Sequence, residues 1–160
     1  MGANTFHDFD DFKIGQTFTS GPILVTAEDI IVFARQFDPQ FFHLDPEAAK
    51  GSVFGEHVAS GWHTAAITMR LLCEAAPAMD GGMIGRSVEK MNFPRAVKPG
   101  DNLSLKAKIM EKRVSNSTPN RGILRILAVT SNQKNEPVLE METVVFVPLH
   151  QQIKKANQRP

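Results

Sequence analysis

The sequence predicts a single α+β domain over residues 1–150, with one antiparallel sheet wrapped around a long buried helix, and a flexible basic tail at 151–160. Three observations carry that prediction. Gly61–Ala76 is apolar around most of a helical circumference, with Arg70 and Glu74 its only acidic or basic charges. Ahead of it lie helical stretches with distinct start signals, and behind it a run of strand-length segments divided by turns. A chain of 160 residues is long enough to bury one core of this kind. A sheet edge of that length is normally covered or paired, so a homodimer or higher homo-oligomer is expected.

The elements follow in order. Phe6, Phe9 and Phe12 recur among Asp8, Asp10 and Asp11, a weak amphipathic signal for one turn or an aromatic edge tucked over the sheet. Gln16–Val25 alternates loosely and is broken by Gly21-Pro22, which predicts a strand and a turn. Thr26 with Asp29 makes a near capping box for a helix carrying Ile30, Ile31, Phe33, Ala34 and Phe37, ending before Pro39. After a loop over Asp38–His43, Asp45-Pro46-Glu47 starts a short helix that runs out at Gly51. Ser60 caps the long apolar helix, which Pro77 and Asp80-Gly81-Gly82 stop. Strands are expected at Gly85–Val97, Asn102–Val114, Gly122–Ser131 and Val138–Val147. The alternation of Leu103, Leu105, Ala107 and Ile109 with polar residues is the clearest of these signals.

Composition narrows the function. With 18 Lys and Arg against 17 Asp and Glu, the net charge of +1 lacks the concentrated basic surface that nucleic acid or a membrane surface requires. Cys73 is the only cysteine, which rules out an intrachain disulfide and metal–thiolate sites; in its apolar stretch it is expected to pack as a small hydrophobe. No signal-peptide pattern or apolar run near twenty residues is present, so a cytoplasmic, soluble protein is expected. Gly81-Gly82 lacks the surroundings of a phosphate loop, and the spacing of His43, His57, His63 and Asp38 matches no metal-ligand pattern; no cofactor or metal is expected.

The chemistry concentrates at Asp38-Pro39-Gln40-Phe41-Phe42-His43 and at Ser60-Gly61. An acid and an imidazole in one short connection can be aimed at one point. The N–H of Gly61, at the positive end of a helix dipole, can receive a developing oxyanion. A proton-transfer pair plus an anion-stabilising donor are the parts needed to make and quench an enolate. Each has a plainer reading: Asp before Pro favours turns, a loop histidine can simply be hydrogen-bonded, and Gly at a helix start often serves close packing. Their joint occurrence favours an enzyme. Burial is expected to raise the Asp38 pKa above its ordinary value of about 3.9, making it a better base.

These residues resemble the MaoC-like dehydratase group, which includes the (R)-specific enoyl-CoA hydratases, on the hot-dog fold. The resemblance covers roughly Thr26 to Pro148 and rests on Asp38 and His43, Leu44-Asp45-Pro46, Phe54-Gly55, Ser60-Gly61, and Phe93-Pro94-Arg95-Ala96-Val97-Lys98-Pro99-Gly100-Asp101. It implies reversible hydration of a trans-2-enoyl-CoA thioester to an (R)-3-hydroxyacyl-CoA. Asp38 would then be the general base, His43 would orient the water and return the proton, and Gly61 would hold the enolate. The acyl chain would pass between subunits. Phe54, Gly55, Ser60, Trp62 and Arg95 are candidate substrate-binding residues, although the aromatics serve core packing equally well. Where hydratases carry Asn-Pro-Leu before the histidine, this chain has Gln40-Phe41-Phe42, a departure that bears on acyl preference.

Two other classes compete. A hot-dog thioesterase would carry its acid on the central helix, where only Glu74 near the far end is available. A non-catalytic acyl-CoA-binding module has no need for a polar pair in an apolar pocket, where it costs stability. Branched or dicarboxylic enoyl-CoAs are alternative hydratase substrates, the latter favoured by basic residues along the acyl pocket.

Overall fold

The computed structural model describes residues 8–79, 82–118 and 120–149. Phe6, Asp80, Gly81 and the basic tail lie outside the described residues. Five strands form one antiparallel sheet in the order β1-β3-β4-β5-β2: β1 (Thr17–Leu24), β2 (Ile84–Asn92), β3 (Asn102–Val114), β4 (Arg121–Ser131) and β5 (Pro137–Pro148). Four helices interrupt the path from β1 to β2: α1 (Ala27–Phe37), α2 (Phe41–Leu44), α3 (Pro46–Ala49) and α4 (Gly61–Ala75).

Local chemistry explains where they begin. The Thr26 hydroxyl accepts the Asp29 N–H at 3.1 Å while the Asp29 carboxylate accepts the Thr26 N–H at 3.3 Å, a complete capping box for α1. Asp45 accepts the N–H groups of Glu47 and Ala48 and starts α3. Ser60 accepts the Trp62 N–H at 3.2 Å and starts α4. The core forms where α4 crosses the concave face of the sheet. Leu103, Leu105, Ala107 and Ile109 of β3 and Leu124, Ile126 and Ala128 of β4 are buried against it. Two hydroxyl contacts fix the helix there: Thr68 with Thr130 at 2.8 Å, and Ser20 donating to the Leu71 carbonyl at 2.6 Å. The wrap of one antiparallel sheet around one helix is the hot-dog fold.

Four expectations change. The Asp38–His43 loop contains a helical turn, α2, so His43 rides on helix rather than loop. β1 runs through Gly21-Pro22 with a register shift between Ser20 and Ile23 instead of ending there. Gly21 has φ +104°, and a side chain at that position would strike the Leu103 carbonyl of the neighbouring strand. β2 stops at Asn92, because Phe93-Pro94 removes the next ladder donor. Finally, α4 is not enclosed all round. The sheet and α1 cover one side, where His63, Thr64, Thr68 and Leu71 are buried, while Trp62 and Met69 are 65% and 49% exposed and Cys73 faces outward rather than packing as a hydrophobe.

Candidate active site

Chain geometry at the end of α1 creates the acid. Asp38 is the C-cap residue of α1, and the extended step through Pro39 turns the chain into α2, which returns His43 toward it. The His43 Nε2 lies 3.4 Å from Asp38 Oδ2, with the imidazole 6% and the carboxylate 19% exposed. The pair predicted from sequence is therefore assembled, buried on the imidazole side and open on the carboxylate side.

Its protonation is set by hydrogen bonds. Ser60 Oγ–H donates to Asp38 Oδ2 at 2.6 Å, and the Gln40 amide donates to Oδ1 at 2.8 Å. Burial alone pushes the Asp38 carboxyl up, but the Ser60 and Gln40 donors and the adjacent His43 outweigh it. The group sits below the ordinary aspartate value, which overturns the expectation of a raised pKa. His43 Nδ1 lies 2.8 Å from the Val58 carbonyl. A carbonyl only accepts, so Nδ1 carries a proton, and Nε2 is the ring nitrogen that faces Asp38.

The remaining candidates take varied places. Gly61 opens α4, and its N–H belongs to the first turn, which has no intrahelical acceptor. Ser60 is almost fully buried and holds Asp38 while capping α4, so it supports the acid instead of lining a surface for substrate. Phe54 reaches the site through Phe42, whose ring centroid lies 5.3 Å from Phe54 and 4.5 Å from His43. Gly55 adopts φ +68° in the loop before the site. Trp62 is on the exposed side of the first turn of α4, and Arg95 is engaged with Glu136 at 3.6 Å. His63 stacks on Phe33 at 4.7 Å between ring centroids, and burial holds its pKa down against the pull of Asp29. It is a packed histidine.

Phe93 entered the sequence reading only as part of the family-like segment Phe93–Asp101, with no role at the site. A Cβ on Gly61 would meet the Phe93 ring at 3.2 Å, so the glycine is required first by this ring, which walls the helix N-terminus. The approach is tight without being impossible, so Gly61→Ala should fold and displace the ring. Its activity is expected to fall about tenfold or more, and Phe93→Leu in the same chain should recover part of the loss, as kcat/KM of the two single variants and the double variant would show. Equal losses in Gly61→Ala with and without Phe93→Leu would mean that the ring is not what the methyl disturbs.

A five-stranded antiparallel sheet around one helix is the architecture of the MaoC-like dehydratases. Residues 11–130 match the family model of the MaoC like domain, and the chain belongs to that family. It is 36% identical to the uncharacterized protein YdeM of Bacillus subtilis (strain 168) over 86% of this chain and 96% of that one. A MaoC-like dehydratase from Rhodospirillum rubrum, a solved structure, superposes with TM-score 0.85 at 40% identity, covering 90% of this chain and 98% of its own. The R-hydratase PhaJ1 from Pseudomonas aeruginosa gives TM-score 0.71 at 25% identity over 89% and 86% of the two chains. No helix among the described residues is long and apolar enough to cross a membrane.

Proposed function

We propose that the protein adds water across the double bond of a trans-2-enoyl-CoA thioester, reversibly, to give an (R)-3-hydroxyacyl-CoA. The observation that carries the reading is the 3.4 Å approach of His43 Nε2 to Asp38 beside the first turn of α4. A water between the two side chains would direct its oxygen at C3 with the thioester oxygen on the Gly61 N–H. As the C3–O bond forms, the water proton passes to the Nε2 lone pair, and the carboxylate of Asp38 stabilises the imidazolium. The enolate on Gly61 then takes that proton from Nε2 at C2, on the face where the hydroxyl has just been added. This assigns proton transfer to His43 and orientation plus charge stabilisation to Asp38, the reverse of the roles implied by the family resemblance. The reversal follows from a carboxylate already occupied by two donors.

Support for an apolar acyl chain comes from a cavity of about 400 Å³ between the C-terminal half of α4 and the sheet, whose walls include Phe18, Met69, Leu72, Ile109, Ile126 and Val145. Among the described residues no basic one lines it, which disfavours a dicarboxylic chain. Met69 lies about 12 Å along α4 from Gly61 at roughly 1.5 Å per residue, so a chain longer than crotonyl is needed to reach the cavity. β2 ends the sheet as an open edge, with Ile84 and Val88 exposed, and a second copy pairing there would complete a homodimer.

The test is loss of enoyl-thioester absorbance on adding protein to crotonyl-CoA and octenoyl-CoA. Octenoyl-CoA should be consumed with the higher kcat/KM. Release of free thiol from saturated acyl-CoA would instead indicate a thioesterase, and binding without turnover of any chain length would indicate a carrier. The role of Ser60 gives a second check. Removing its hydroxyl in Ser60→Ala leaves burial acting on Asp38 with one donor fewer, so the carboxyl titration followed by carbon NMR should move to higher pH. The sign for stability agrees: a carboxylate whose folded pKa is depressed contributes stability above the unfolded value of about 3.9 that is lost as pH falls through the folded one. The Ser60→Ala penalty should accordingly shrink on acidification toward the cap loss alone, about 1 kcal/mol.

A further inference from the structure

We propose that His57 is a positioning residue that holds His43 in register with Asp38. The proposal rests on the dyad reading above for its effect on turnover, but its geometry is independent of the substrate. His43 is carried by α2, a single four-residue turn, and a helix so short does not sustain itself. Two side chains clasp it in opposite directions. The His43 ring donates from Nδ1 to the Val58 carbonyl at 2.8 Å, and the His57 ring donates from Nε2 to the His43 carbonyl at 2.8 Å. The Val58 N–H reaches the Phe42 carbonyl at 3.5 Å and adds a third tie between the same segments.

The strap that makes these bonds is itself anchored. Glu56 is paired with Lys98, and the Ala59 N–H donates to the Val97 carbonyl at 2.8 Å. His57 is 7% exposed, and its Nδ1 has no hydrogen-bond partner among the described residues. A buried unpaired nitrogen is unfavourable, and an aliphatic side chain would fill the same space without one. What the imidazole supplies that an aliphatic cannot is the N–H on the His43 carbonyl. Because both acceptors are carbonyls, Nδ1 of His43 and Nε2 of His57 each carry a proton. The clasp thus keeps Nε2 of His43 turned to Asp38, and displacement of a reacting group by about 1 Å can cost 10²-fold in rate.

The experiment compares His57→Gln, His57→Asn and His57→Leu in the full chain. A glutamine amide reaches about as far as the imidazole Nε2, whereas asparagine is too short. His57→Gln should keep kcat within threefold of wild type, while His57→Asn and His57→Leu lose ten- to a hundredfold in kcat with KM little changed. Long-range proton–nitrogen NMR without substrate should show His43 wholly as the Nδ1–H tautomer in the wild type and in His57→Gln, and as a mixture in His57→Asn. Equal behaviour of the Gln and Asn variants, or an unchanged His43 tautomer in both, would overturn the proposal. A wild type with that tautomer fixed and no enoyl-CoA turnover would overturn the hydratase reading and leave the clasp standing, so the two failures are distinguishable.

Discussion

Asp38→Asn and His43→Ala are each expected to lower kcat/KM for an enoyl-CoA by about 10³-fold, equivalent to roughly 4 kcal/mol of transition-state stabilisation. The two variants should differ in everything else. Asn matches the shape of Asp38 and keeps an oxygen for the Ser60 hydroxyl, so the fold and the affinity for a saturated acyl-CoA should persist. What it removes is the negative charge that stabilises the protonated imidazole. His43→Ala empties a buried site and deprives the Val58 carbonyl of its donor, so its melting temperature should fall as well. Enoyl absorbance together with thermal melting separates the two effects. Activity within tenfold of wild type in both variants would remove the pair from the reaction.

The largest effect on stability is expected from one methyl group placed far from the dyad. Gly122 lies at the start of β4, and a Cβ there would overlap the ring of Phe9, which is buried beneath the short helical turn Phe9–Asp11. That turn is tied down by Lys112, whose ammonium lies 4.6 Å from the Phe9 ring centroid and donates to the Asp10 and Phe12 carbonyls at 3.1 and 2.7 Å. Gly122→Ala must expel the ring, and losing a buried Phe costs about 3 kcal/mol or more. A fall of roughly 10 °C in Tm is the expected result. Combining it with Phe9→Ala provides the control, because with the ring gone the methyl has nothing to strike. The double variant should be no less stable than Phe9→Ala alone, and simple additivity of the two losses would contradict this account.

What the sequence revealed and what it hid divide along a physical line. Caps, turns and strand alternation are local, and Thr26, Asp45 and Ser60 start helices as their side chains require. Asp38 and His43 were legible because one short connection carries both. The residues that tune them were not. Gln40 stood out only as a departure from the hydratase pattern, and its amide proves to hold the carboxylate. His57 and Val58 act on His43 through bonds across fourteen and fifteen positions, and Phe93 reaches Gly61 from the far side of β2. No periodicity encodes such returns of the chain. The expected rise in the Asp38 pKa failed for the same reason, since burial is foreseeable from apolar neighbours but a specific donor such as Ser60 is not. Apolar character likewise predicted a fully enclosed α4, although sequence does not distinguish a face covered by the same chain from one left open.

The division between sheet and strap has a consequence for how the protein fails. β3, β4 and β5 are joined by long ladders, each with one register shift, and enclose the core, whereas His43 depends on one turn of helix and a few tertiary bonds. Opening of that turn exposes little apolar surface and breaks few hydrogen bonds, so it belongs to the low-energy end of local unfolding. Amides of residues 41–44 should therefore exchange with solvent far faster than those of the central strands. Under gentle warming or dilute urea, catalysis should disappear while the far-ultraviolet circular dichroism of the sheet is still intact.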